Sequence, residues 1–114
     1  MGYAPYIFLV ISFHLCYELL KQGAMKKFII QRKLPGAGNL SPEEVKAISK
    51  ASNEAISSLG RPFAWIQSYV TEDKIYCIHV AESEMDIREH GKNFDFPVHT
   101  IEEVRMVIDA SSAG

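Results

Sequence analysis

Residues 64–81 read AWIQSYVTEDKIYCIHVA, and this stretch decides the fold. Two β-rich runs, Ala64 to Val70 and Ile75 to Ala81, flank Thr71-Glu72-Asp73-Lys74, a short polar segment with turn chemistry. The pattern is a β-hairpin. Pairing across an even-numbered loop puts Trp65, Gln67, Tyr69, Tyr76, Ile78 and Val80 on one side of the sheet. Ile66, Ser68, Val70, Ile75, Cys77 and His79 then take the other side. Both sides are substantially apolar, so both need a cover. Helices can cover one, and a second copy of the chain is the expected cover of the other.

Upstream of the hairpin, Ser41-Pro42-Glu43-Glu44 opens a helix. Ser41 can cap it, Pro42 suits the first helical position, and Glu44 completes a capping box. Val45, Ile48, Ser52, Ala55, Ile56 and Leu59 recur at helical spacing along one face. Gly60 ends the helix as a left-handed cap, and Pro62 prevents its return. Before it, Lys27 to Arg32 is a short strand, and residues 34–39 form a loop by composition.

Downstream, Ser83-Glu84-Met85-Asp86 starts a shorter helix that Gly91 is expected to stop. The loop GKNFDFPVH follows (residues 91–99). A last strand is expected over Glu102 to Asp109, with Val104, Met106 and Ile108 pointing one way. The tail, Ala110 to Gly114, is expected to fray. The order is β-α-β-β-α-β, an α+β ferredoxin-like arrangement: a four-stranded antiparallel sheet with two helices on one face. That fold hosts many activities and licenses none alone.

The bulk numbers narrow the field. A chain of 114 residues is one small domain's worth, and its net charge of −2 supplies no positive field for phosphates. Nucleic acid is therefore not an expected partner. The two cysteines, Cys16 and Cys77, are too few for a disulfide framework and read as reduced thiols, which suits the cytoplasm.

Residues 1–24 differ in character from the domain at 25–114. Tyr3 to Leu20 is nearly continuous apolar sequence broken by Pro5, His14 and Glu18. Three readings compete: Met25 is the true start, the run is a weak membrane anchor, or it is an amphipathic helix that docks on its own domain or a partner. About 18 to 20 apolar residues span a bilayer, so an anchor would be marginal. Lys21, Lys26 and Lys27 would hold the domain on the cytoplasmic side.

Residues with chemistry are sparse. There is no glycine-rich phosphate loop, no CxxC and no HExxH. Cys77 reads as a small buried hydrophobe or as a thiolate metal ligand, with His79 two residues on and on the same sheet face. His90 closes the second helix. It reads as a cation favoured by the helix C-terminus or as an imidazole at the rim of a cleft. His99 reads as a solvated loop residue. Trp65, Tyr69 and Tyr76 read as core, dimer interface or a ligand-binding aromatic face.

The stretches KKFIIQRKLPGAGNLSPEEVKAISKAS, WIQSYVTEDKIYCIHVAESEMDIREHG and the closing EVRMVIDA together resemble the DUF4242 family, also called the nickel-binding protein family. The resemblance covers about residues 26–109 and none of the N-terminal segment. It implies a ferredoxin-like homodimer of small bacterial proteins and Ni2+ or another divalent metal as ligand. It also implies histidines at three places: near the end of strand one, at the end of helix two and just before the following proline. Here those places hold Gln31 or Arg32, His90 and Phe96, so His90 is the one histidine kept.

Three functional expectations follow. The first is a small dimeric binding protein that takes a divalent metal such as nickel, or a small ligand, near His90. The second is a cofactor-free dimeric enzyme, monooxygenase- or isomerase-like, using the aromatic sheet face. The third is a plain protein-interaction module.

Overall fold

The structure, a computed structural model, describes residues 24–114. The N-terminal extension expected over residues 1–24 lies, Ala24 apart, outside the described residues. Four strands form one antiparallel sheet: β1 (Lys26–Lys33), β2 (Phe63–Val70), β3 (Lys74–Ala81) and β4 (Thr100–Glu103), in the order β2-β3-β1-β4. Helices α1 (Pro42–Leu59) and α2 (Glu84–Asn93) lie on one side of it. This is the ferredoxin-like arrangement.

The local signals act as expected. The Ser41 hydroxyl accepts from the Glu44 amide at 3.1 Å, and the Glu44 carboxylate accepts from the Ser41 amide at 3.0 Å. Gly60 closes α1 at φ 65°, a left-handed conformation open to glycine at no steric cost. Ser83 caps α2 by accepting from the Asp86 amide. Arg61, between α1 and β2, pairs with Asp86 at 3.0 Å and also with Glu89, fastening that connection to α2.

The core alternates with strand period. Phe28 and Ile30 of β1 and Ile75, Cys77 and Ala81 of β3 point toward the helices and close on Ala37 and on Ile87 of α2. Ile30 faces Cys77 across one ladder and Ile101 across the other. Burying these side chains is the main stabilising contribution to the fold, at about 25 cal/mol per Å² of apolar surface.

Four details differ from the expectation. Trp65 pairs with His79 and Gln67 with Ile78, so Ile66 is an extra residue, a β-bulge. The bulge restarts the alternation. Gln67, Tyr69 and Tyr76 keep the open side, as the hairpin count requires, but Trp65 moves to the helix side with His79. The last strand is four residues long, Thr100–Glu103, rather than 102–109. Beyond the bond from the Val104 amide to the Lys27 carbonyl the chain leaves the ladder, and Met106, Val107 and Ile108 are exposed. The tail is not frayed: Ala110–Ala113 is a 3-10 turn that Asp109 caps by accepting from the Ser111 amide. Gly91 does not stop α2, which runs on to Asn93. Its lack of a side chain serves packing instead. A Cβ there would sit 2.8 Å from Val98 Cγ2 and 3.5 Å from Arg32 Nη1.

Among the described residues no helix is long and apolar enough to cross a membrane.

Candidate functional site

Strand alternation that buries Phe28 and Ile30 also buries the next residue in phase, Arg32, which is 1% exposed. A guanidinium in that position must find partners among buried groups. Its Nη1 donates to the carbonyls of Phe96 and Pro97, both at 3.2 Å. The rings of Phe94 and Phe96 lie stacked, 5.3 Å apart, and both present faces to the guanidinium, 5.6 and 5.0 Å from its carbon. No ion pair among the described residues includes Arg32.

Two histidines join it. His79 of β3 and His90 of α2 are fully buried, their ring centroids 5.1 Å apart, with Phe63 packed on both. His90 was expected as a cation favoured by the helix C-terminus or as an imidazole at the rim of a cleft. It is fully buried and borders a cavity between α1 and the sheet, because α2 continues past it and turns that face toward the sheet. Its Nε2 is 3.3 Å from the Ser52 carbonyl and 3.1 Å from the Ser52 hydroxyl. A carbonyl only accepts, so Nε2 carries the proton and Nδ1 is a bare lone pair. Burial holds His90 down to about 4; the bond to Ser52 pulls upward and the Arg32 charge downward. Burial holds His79 lower still, at about 3, with His90 and Arg32 adding to it and the Ala64 carbonyl opposing. Both rings are neutral at neutral pH.

These groups border one cavity of about 170 Å³ between α1 and the sheet. It exists because α1 does not seat evenly. Ala55 and Leu59 are buried near its C-terminal end, whereas Val45 near its start remains 46% exposed. Val45, Ile48 and Trp65 supply apolar wall; Arg32, His79 and His90 supply the polar part.

Four buried side-chain polar atoms in the described domain have no hydrogen-bond partner: Arg32 Nε, Arg32 Nη2, His79 Nδ1 and His90 Nδ1. All four belong to this cluster. Buried polar groups in folded proteins are almost always paired, so the concentration of four unpartnered atoms in one cluster sets this part of the core apart from the rest.

The other candidates lie elsewhere. Cys77 shares the face of His79, as expected, but belongs to the hydrophobic cluster and does not line the cavity. Tyr69 and Tyr76 face each other across the β2–β3 ladder on the open side. Trp65 is the one member of the aromatic set that reaches the cavity. No group of three or more His, Cys, Asp or Glu side chains among the described residues is placed to hold a metal. Arg32, Ser52 and Phe94 were not read as site residues. Arg32 had a legible signal: it is a charge in phase with two buried strand residues.

Residues 28–104 match the family described as nickel responsive protein SCO4226-like. The chain belongs to that family. Among solved structures it is similar to one titled crystal structure analysis of SCO4226 from Streptomyces coelicolor A3(2). The likeness has a TM-score of 0.62 and 13% sequence identity, covering 72% of this chain and 99% of that one. At that identity the likeness supports the fold. No curated protein matches the chain. The resemblance singled out Gln31 or Arg32, His90 and Phe96; of these, Arg32, His90 and Phe96 line the cavity between α1 and the sheet. In this SCO4226-like chain His90 is the one histidine at those places.

Proposed function

We propose that this protein binds a small, largely apolar organic molecule in the cavity between α1 and the sheet. The observation that supports it is the convergence of every unpartnered buried polar atom of the described domain on that one cavity. A concave, mostly apolar cleft with a few fixed polar groups is the usual form of a small-molecule site. Trp65, the single tryptophan of the chain, lines it and serves as a built-in reporter. Single-ring aromatic compounds titrated into the full-length protein should change Trp65 fluorescence saturably. The Ser49→Phe variant, which fills the space, should abolish the change. If no compound of such a set perturbs Trp65, the reading fails.

A second reading keeps the metal of the family name. His79 and His90 offer two unpartnered Nδ1 atoms, and imidazole suits nickel. The donor set is incomplete, however, and the Arg32 charge beside it repels a divalent cation. Nickel calorimetry on the wild type and on His90→Ala discriminates between the readings. Binding by the first and not the second supports a metal at His90; no heat with the wild type removes it.

Homodimerisation through the open side of the sheet completes the proposal. Ile29, Tyr76, Ile78 and Val80 are only half-buried there, and Tyr69 is 56% exposed. Light scattering should give a dimer for the wild type and a monomer for Ile78→Glu. A monomeric wild type would remove this part without touching the cavity.

A further inference from the structure

The guanidinium of Arg32 has two distinct edges. One end, Nη1, is tied to the carbonyls of Phe96 and Pro97. The opposite edge, Nε and Nη2, is buried and has no partner. Those two N–H groups run parallel and are spaced to meet both oxygens of one carboxylate. The head cannot swing away to find other company, because Phe94 and Phe96 cover it and two carbonyls fix its far end. Carbonyl dipoles satisfy donors but supply no negative charge, and no ion pair among the described residues includes Arg32.

We infer that the ligand of this cavity carries a carboxylate, bound side-on by Nε and Nη2 of Arg32, with an apolar body lying against Trp65, Ile48 and Val45. The inference rests on the cavity being a ligand site. A volume of about 170 Å³ suits a single-ring or similarly sized monocarboxylic acid. The two neutral histidines fit this ligand better than they fit a cation. They place no competing positive charge beside the carboxylate's partner, and the bare Nδ1 of His90 would accept from a hydroxyl on its body.

The test uses three probes of one size and different charge, read by Trp65 fluorescence on the full-length protein: benzoate, benzyl alcohol and benzylamine. Benzoate should bind at least about tenfold more tightly than benzyl alcohol, the expected worth of a charge-assisted pair at a buried site, and benzylamine should bind least. Arg32→Met should erase the preference for benzoate and spare benzyl alcohol. Arg32→Lys, a charge without the fork, should restore it only in part. Equal binding of benzoate and benzyl alcohol by the wild type would overturn the carboxylate and leave the cavity reading standing. No binding of either would overturn both. The wild-type comparison decides the matter even if an Arg32 variant fails to fold.

Discussion

One side of one sheet carries two unlike patches. In the first, Phe28, Ile30, Ile75, Cys77, Ala81 and Ile87 close into a hydrophobic cluster without a polar atom left over. In the second, Arg32, His79 and His90 are as deeply buried but hold four polar atoms with no partner. The same strands supply both. The first patch is what a small domain needs in order to fold. The second costs stability, since an unpaired buried polar group is worth about 1–3 kcal/mol of destabilisation. A domain of this size has little stability to spare, so a cost of that kind is consistent with the ligand site proposed above.

The contrast can be broken at either end. The largest effect belongs to the cluster: Ile30→Ala, at a site with no exposure, should cost about 2–5 kcal/mol in urea unfolding and leave ligand binding in the folded fraction intact. Next comes acid. His79 and His90 titrate at about 3 and about 4 when folded, below the ordinary value of 6.5. The unfolded chain therefore binds more protons than the native one between those values. The stability that the neutral rings contribute is fully present above pH 6.5 and is lost as pH falls toward 3, on the order of a few kcal/mol. The urea midpoint should fall from pH 7.5 to pH 4.5, and His79→Phe should flatten that fall.

A smaller loss tests the seam between the patches. Gly91→Ala sets a Cβ 2.8 Å from Val98 and against Arg32, and should cost about 1–3 kcal/mol while weakening ligand binding. Ser41→Ala removes only the cap of α1 and should cost about 1 kcal/mol, with binding unchanged. The smallest effect is the sharpest. Arg32→Met removes two unpartnered donors along with two bonds to carbonyls, so its unfolding free energy should stay within about 1 kcal/mol of wild type. If Arg32→Met instead proves as damaging as Ile30→Ala, the arginine is a structural member of the core and the two patches are one.

Much of this was legible in local sequence. Ser41 with Glu44, Gly60, Ser83 and the Thr71–Lys74 turn each act through neighbours a few residues away, and each behaves as its residue type dictates. The site was legible only in part. His79 and His90 stood out as titratable groups, yet nothing local brings β3 and α2 within 5.1 Å of each other. Trp65 was assigned to the wrong side because strict alternation holds only until a residue is inserted, and the bulge at Ile66 has no marker in the chain such as a glycine. Gly91 reads as a helix stop, and its actual role depends on Val98 and Arg32 arriving from elsewhere.

Capping, periodicity and turn chemistry are short-range forces written into adjacent residues, and they specify the order of the main helices and strands and hence the ferredoxin-like sheet. Only the tertiary structure decided that a buried arginine, two neutral histidines and a bulge-shifted tryptophan share one cavity. Those residues come from β1, β2, β3 and α2, and their juxtaposition is fixed by long-range strand pairing and by the uneven seating of α1, neither of which any single stretch of chain encodes.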